Sequence, residues 1–400
     1  MFVRSLGAFC DQLRGLRGEG RGTILLAIAL GWGLTVGART IFPALLPQLR
    51  AAYGLDLTLA GLLLTVLFVA YALGQLPGGV LADRIGERLT LTGSVAVSAI
   101  AVVAVVVSRS ALALFAATAV FGFAIGFYAI ARFTAIAAVY PEEHGTAVGV
   151  TNAAPEIGQA VCPPIAGLLA VLAGWQLGFG FVVPAFVLVA AALWLTVPSR
   201  DVGAHAGVSG RDLRRIAAAL RRPRVVRGTV VMILGIAVWQ AFTGFYPTYL
   251  IERKGLSPAV ASALFGLYFL STALVHPLSG AIYDRSTVRR PFAMVLVSVA
   301  TLAALPAIEG IVGLAVASVL LGTLLGFETS TESYLVASLP ADVAGTGFGI
   351  LRTAVFAGGA ASPLIFGAVA DRGFFDGLFL AMAAVLAFTV VLATSLPPEG

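Results

Sequence analysis

Six side chains able to carry charge fall deep inside long apolar runs: Arg39, Arg132, Glu156, Glu328, Glu332 and Arg352. A charge at the centre of a membrane-spanning helix costs about 2.5–3.5 kcal/mol on insertion scales, so such groups face a cavity or a partner. A guanidinium stays charged and grips a carboxylate or phosphate with two parallel hydrogen bonds. A carboxylate in a low dielectric can take and lose a proton near neutral pH. Two readings stand for Arg39, which precedes Pro47 by two turns: a substrate-binding cation, or an arginine near a helix end that snorkels to the interface. Glu156 and Glu328 are candidates for proton coupling or for permanent ion pairs. The three arginines and three glutamates cancel when all are ionised, and protonating one glutamate leaves the set positive. That suits a proton-coupled anion carrier and a self-neutralising network alike.

These residues need apolar elements to hold them. Of 400 residues, 59% are hydrophobic and 11% charged, where a soluble domain carries about 25% charged residues, so lipid is the expected solvent. Apolar spans are expected at 22–47, 58–82, 89–108, 111–138, 145–172, 177–197, 227–250, 259–283, 291–308, 310–337, 345–370 and 374–396. Most match the length of about 20 residues that crosses a bilayer. The chain thus divides into an N-terminal segment 1–21, a six-helix unit 22–197, a polar connection 198–226 and a second six-helix unit 227–396. The N-terminal segment reads as a surface amphipathic helix or a tail. The connection looks helical from Arg211 to Arg222 and is expected along the membrane surface.

The net charge of +6 is a topology signal rather than a nucleic-acid footprint. Arg84, Arg88, Arg285, Arg289, Arg290 and the arginines of the connection share one side with both termini. Arg50, Arg109, Arg253, Lys254 and Arg372 lie on the other. The positive-inside rule makes the richer side cytoplasmic, where its arginines also meet anionic lipid. His144, His205 and His276 have no metal-ligand spacing, and Cys10 and Cys162 are not expected to pair. No metal, cofactor or intramembrane protease motif is read, so no enzymatic activity is expected, and the chain is expected to act as a monomer.

The halves repeat. Gly145-Thr146, Gly149, Gly158, Pro163, Ile165 and Gly167 recur 200 residues later as Gly345-Thr346, Gly349, Gly358, Pro363, Ile365 and Gly367, and Gly122, Gly126 and Phe127 recur as Gly322, Gly326 and Phe327. Parallel repeats about an axis along the membrane normal are one architecture of secondary transporters. Gly79-Val80-Leu81-Ala82-Asp83-Arg84-Ile85-Gly86-Glu87-Arg88 resembles the signature between helices 2 and 3 of the major facilitator superfamily, with Asp284-Arg285 as a weaker second copy. The resemblance covers nearly the whole chain. It implies an all-α membrane fold of two pseudo-symmetric six-helix bundles, alternating access, and an Asp83 that meets the start of helix 11 near Gly345. Glu87 departs from the family pattern, which usually has a basic residue there.

The resemblance also places helices 1, 4, 7 and 10 around a central cavity and helices 2, 5, 8 and 11 at the seams. All six buried charges fall on these helices. Arg39 resembles the helix-1 arginine of family carriers for organic anions. Arg132 and Glu332 occupy equivalent repeat positions and are expected to pair in one state, as a gate or as substrate contacts. Arg352 is expected to pair with Glu328 or Glu332, and Glu332 joins Glu156 and Glu328 as a proton-coupling candidate. Tyr128, Trp239, Gln240, Tyr246 and Tyr268 are candidates for the pocket wall, and Trp32 for pocket or interface. His276, beside Pro277, reads first as the neighbour of a helix kink. Gly149, Gly158, Cys162-Pro163 and Ala166-Gly167 partly resemble an antiporter motif, with small-residue packing as the other reading. The first functional reading is therefore a proton-coupled carrier of small anions in the cell membrane, and the second a proton-driven exporter of amphiphiles.

Overall fold

The computed structural model describes residues 21–140, 144–199, 210–339 and 344–396, with backbone alone for 144–146, 210–214 and 344–346. The amphipathic reading of the N-terminal segment lies outside the described residues. Twelve apolar helices follow one another: α1 Arg21–Ala44, α2 Leu57–Ile85, α3 Glu87–Val107, α4 Ala111–Val139, α5 Ala147–Ala173, α6 Trp175–Thr196, α7 Pro223–Glu252, α8 Pro258–Asp284, α9 Phe292–Ala307, α10 Ile311–Ala337, α11 Gly347–Ala370 and α12 Phe375–Thr394. Eleven are long and apolar enough to cross a membrane, and α9 is shorter. Large apolar side chains such as Leu112, Leu195, Leu274 and Val312 point outward, as lipid rather than water requires. The connection carries the expected helix, Gly210–Leu220, which buries Ile216 and Ala219.

The repeat extends to the turns. The helix entering α2 is preceded by Gly54 at φ 64° and capped by Asp56, which accepts from Leu59 N at 2.7 Å. Before α8 the same places hold Gly255 at φ 69° and Ser257, which caps Val260 N. Left-handed backbone is cheap only for glycine, and a side-chain oxygen satisfies an amide the first turn leaves open. These two features start both helices at the same place in each half.

Small residues then set how closely helices approach. A Cβ on Gly74 would lie 2.2 Å from the Phe123 carbonyl, and one on Gly126 2.5 Å from that of Tyr71, so the α2 and α4 backbones touch. A Cβ on Gly158 would lie 2.0 Å from the Gly33 carbonyl, and one on Gly37 2.7 Å from Cys162 Sγ. Gly158 and Cys162 of the antiporter-like pattern thus serve close packing of α5 on α1. The halves differ in α10. It is α-helical over Ile311–Leu321, 3-10 helical over Gly322–Phe327 and α-helical again over Glu328–Ala337, whereas α4 is continuous.

The halves meet along two seams, α2 with α11 and α5 with α8. They are knitted together at the end remote from the Asp83 loop. There Asp371, at the C-terminus of α11, accepts from Leu57 N at 2.9 Å, Thr58 N at 2.8 Å and Thr58 Oγ1 at 2.5 Å. Arg50 pairs with Glu252 across the halves, and the Leu364 amide donates to Thr65 Oγ1 at 3.2 Å. A Cβ on Gly61 or Gly367 would strike the opposite backbone. Toward the Asp83 end the packing is looser: among the described residues nothing lies within 4 Å of a Cβ placed on Gly149 or Gly349, and the Glu332 side chain is 27% exposed although it sits mid-helix.

Desolvation opposes ionisation of Asp371, but the hydrogen bonds from Thr58 and Leu57, with Arg50 nearby, hold its carboxyl below the usual aspartate range. A depressed value means that this contact is fully present above the ordinary aspartate pKa of about 3.9 and fails as pH falls through the lower one. Asp371→Ala removes it at any pH. At about 1 kcal/mol for a helix cap, the population open at this end should rise about fivefold. Faster maleimide labelling of Leu64→Cys, with Cys10 and Cys162 replaced by Ala, would read that out; an unchanged rate would deny Asp371 its role in closure.

Candidate functional site

Arg39 projects from α1 into a cage of three rings. Phe68 and Tyr71, one turn apart on α2, lie with their centroids 5.8 and 5.2 Å from the guanidinium carbon, and Trp239 of α7 lies at 5.6 Å. The side chain is buried and has no hydrogen-bond or carboxylate partner among the described residues. Ring faces attract the flat side of a guanidinium, while its N–H groups point outward in its plane. The cage therefore stabilises the charge and leaves its donors free. Trp239 Nε1 and the Tyr268 hydroxyl lie nearby, buried and facing one another, with neither in a well-formed hydrogen bond.

Arg132 and Arg352 are held differently. Arg132 lies over Trp32 at 4.6 Å and Phe133 at 4.0 Å and donates to Thr151 Oγ1 at 3.2 Å. Its Nε is buried without a partner. Arg352 donates to Glu332 Oε1 at 2.9 Å and lies over Phe356, one turn on, at 5.4 Å. Glu332 thus pairs with Arg352, one of the two partners expected for that arginine, while the Arg132–Glu332 pair is not formed in this state. Arg132, Arg352 and Glu332 remain close enough for their charges to interact.

The third group joins the halves. Glu156 of α5 brings Oε1 to 3.6 Å from His276 Nε2, and Glu328 of α10 brings Oε2 to 3.9 Å from the same nitrogen. His276 Nδ1 is 3.1 Å from Thr329 Oγ1. Glu156 Oε2 is buried without a hydrogen bond. His276 read first as a kink neighbour; the structure sets it between two carboxylates. The usable signal was its place one turn before Gly280, in the seam helix that carries the second signature copy.

The other candidates spread out. Tyr128 stacks on Trp32 and donates to the Ile28 carbonyl at 2.9 Å, pinning α4 to α1. Gln240 is fully buried, reaching the Phe356 carbonyl at 3.5 Å. Tyr246 turns into its own half, where its hydroxyl meets Ser318 Oγ at 2.7 Å. In the signature, Gly79 packs near Ile130, Gly86 makes the turn at φ 86°, and Arg88 lies 4.2 Å from the Trp194 ring. Arg289 matches this in the second half by donating to the Leu396 carbonyl at 3.1 Å. Asp83, Arg84, Asp284 and Arg285 are exposed, and Asp83 has no partner among the described residues. Its expected contact near Gly345 involves a side-chain environment outside the described residues.

Two six-helix units around a charged interior, with seams that close at one end, define a polytopic membrane transporter rather than an enzyme. The Major Facilitator Superfamily model matches residues 28–363, and the chain belongs to that family. It is 26% identical over 371 residues to a probable sulfoacetate transporter, SauU, of Cupriavidus necator, covering 85% of each chain. It is 27% identical over 360 residues to a probable nitrate/nitrite transporter, NarK2, of Mycobacterium tuberculosis, covering 86% of this chain and 89% of that one. Its fold matches a bacterial homologue of the human lysosomal transporter Spinster in an inward-facing, unoccupied conformation, with a TM-score of 0.78, 17% identity, and 94% of this chain and 96% of that chain covered.

The Arg352–Glu332 pair permits a direct check. Removing one partner strands a charge in a poorly hydrated site, whereas removing both need not destabilise. Glu332→Leu and Arg352→Met should each lower thermal stability, by about 1–3 kcal/mol given their partial exposure. The double variant should lose less than the two single losses together. Additive melting-temperature losses would mean that the pair contributes no coupling.

Proposed function

We propose that the protein carries small organic or inorganic anions across the cell membrane by alternating access, coupled to protons. The observation that carries this reading is the Arg39 cage: a permanent charge on α1, held by ring faces, with its hydrogen-bonding edge unspent. A carboxylate, sulfonate or nitrate fits that edge through two parallel N–H···O bonds. Beside it, a donor of the Trp239–Tyr268 pair is available once those two side chains part. Relatives of similar length named for sulfoacetate and for nitrate or nitrite support an anionic substrate. No carboxylate is bonded to Arg39 among the described residues, so its open edge disfavours cationic cargo.

The positive-inside argument makes the Asp83 loop end cytoplasmic, so that the state described is closed outside and open inside. In that state Asp371 is engaged and Asp83, at the other face, is exposed and unpartnered among the described residues, which suits a lock that alternates between the two faces. Glu156, Glu328 and Glu332 supply groups that can gain or lose a proton as anionic cargo arrives and leaves.

Thermal shift of the purified protein with sulfoacetate, succinate, nitrate and phosphate, against ethidium as a cationic dye, tests the reading. One or more anions should raise the melting temperature, and the effect should vanish in Arg39→Ala. Arg39→Lys keeps the charge and loses the fork, so its apparent affinity should fall about 10- to 100-fold. Stabilisation by the dye alone, indifferent to Arg39→Ala, would replace anion carriage with export of amphiphiles.

A further inference from the structure

The geometry points to His276 as the carrier of the coupling proton, shared between Glu156 of one half and Glu328 of the other. The inference rests on the proton-coupled reading above and names the group that performs the coupling. Thr329 holds Nδ1 at 3.1 Å, which turns Nε2 toward the two carboxylates, at 3.6 and 3.9 Å. Thr329 directly follows Glu328, so one turn of α10 orients the ring and supplies one of its acceptors. A proton on Nε2 faces two carboxylates at ion-pair distance, and they belong to different halves.

The charges around the ring set the proton count. From α1 comes Arg39, from α5 Glu156, from α10 Glu328 and Glu332, from α11 Arg352, and α8 itself adds Tyr268. Glu332 and Arg352 pair with each other, and Arg132 lies apart from this group over Trp32 and Phe133. What remains is two carboxylates and an imidazole against Arg39. With both carboxylates ionised and the ring neutral, this group carries one negative charge in excess, and one proton cancels it. An anion seated on Arg39 restores the excess and calls for a second proton. Cargo and proton are thereby linked through charge in a poorly hydrated site, without needing to touch. The side chains are 22%, 14% and 17% exposed for His276, Glu156 and Glu328, so water can deliver the proton.

The bridge also senses the state of the carrier. Glu156 lies on α5 and His276 on α8, so rocking at this seam changes their separation, whereas His276 and Glu328 lie in the same half and keep their separation in a rigid rocking. A protonated ring draws Glu156 across the seam; loss of the proton leaves two carboxylates facing one another over it. The pseudo-symmetric places cannot do this. Glu156 corresponds to Phe356, Glu328 to Tyr128 and His276 to Gln75. Gln75 is buried with both amide atoms unpartnered, and it has no proton to exchange.

The chain has three histidines, so 15N-histidine labelling resolves the question in nanodiscs without added anion. His276→Gln, which installs the residue found at the equivalent place in the other half, identifies the His276 signal. Titrated from about pH 5 to about pH 9, that signal should shift its midpoint by about half a unit or more in both Glu156→Gln and Glu328→Gln, with His144 and His205 unmoved. In proteoliposomes, the ratio of proton-driven sulfoacetate uptake to sulfoacetate exchange should fall about tenfold in His276→Gln. A His276 midpoint indifferent to both glutamine variants overturns the proposal, and so does an unchanged ratio. Absence of any Arg39-dependent anion binding would count against the proposed cargo instead, and the anion-free titration then decides on the bridge.

Discussion

An arginine keeps its proton under any condition a cell provides, and hydrocarbon cannot solvate it. Each of the three arginines deep within these spans therefore has to be stabilised by neighbours, and they are stabilised in three different ways. Arg352 is spent on Glu332. Arg132 is spent on two rings and a hydroxyl. Arg39 alone has its face occupied and its edge open. The distinction depends on where the rings sit, since stacking consumes the flat side of the group and hydrogen bonding consumes its rim. Phe68 and Tyr71 are delivered by α2 at adjacent turns, and Trp239 by α7, so the cage exists only when the two halves are in contact.

That contact is unequal on the two seams. The α2–α11 seam carries the closure devices, with an aspartate near the C-terminal end of each helix. Asp371 is bound to the first turn of α2, and Asp83 at the opposite end is exposed. The α5–α8 seam carries Glu156 and His276, the groups proposed to exchange the proton. A rigid rocking of one half on the other moves both seams together, so a charge change on one is felt at the closure devices of the other without a dedicated path of contacts between them.

Much of this was legible before the fold. Apolar runs of membrane-crossing length gave the helices, and the 200-residue register gave the two bundles, because both depend on local composition. The six buried charges were identifiable from cost alone. Their partners were not. Arg132 and Glu332 share a repeat position and invite pairing, yet pairing depends on which way each side chain leaves its helix, and α10 does not keep the winding of α4. Tyr246 reads as a pocket tyrosine by helix membership, but its turn of α7 faces Ser318. His276 reads as a kink neighbour because the proline beside it offers a sufficient local explanation, and its two carboxylate neighbours come from helices distant in sequence.

The 3-10 stretch of α10 deserves a mechanical reading. A 3-10 helix rises about 2.0 Å per residue and turns 120°, against 1.5 Å and 100° in an α-helix. Over the six residues Gly322–Phe327 the difference amounts to about 3 Å of length and about 120° of rotation. Rewinding that segment would act as a screw, drawing Glu328, Thr329 and Glu332 along the axis and sweeping them around it while Ile311–Leu321 stays in place. The N-terminal bundle, with α4 wound continuously, has no such thread. Two bundles of common ancestry would then divide the labour of one cycle, one serving as a fixed wall and the other as the part that turns.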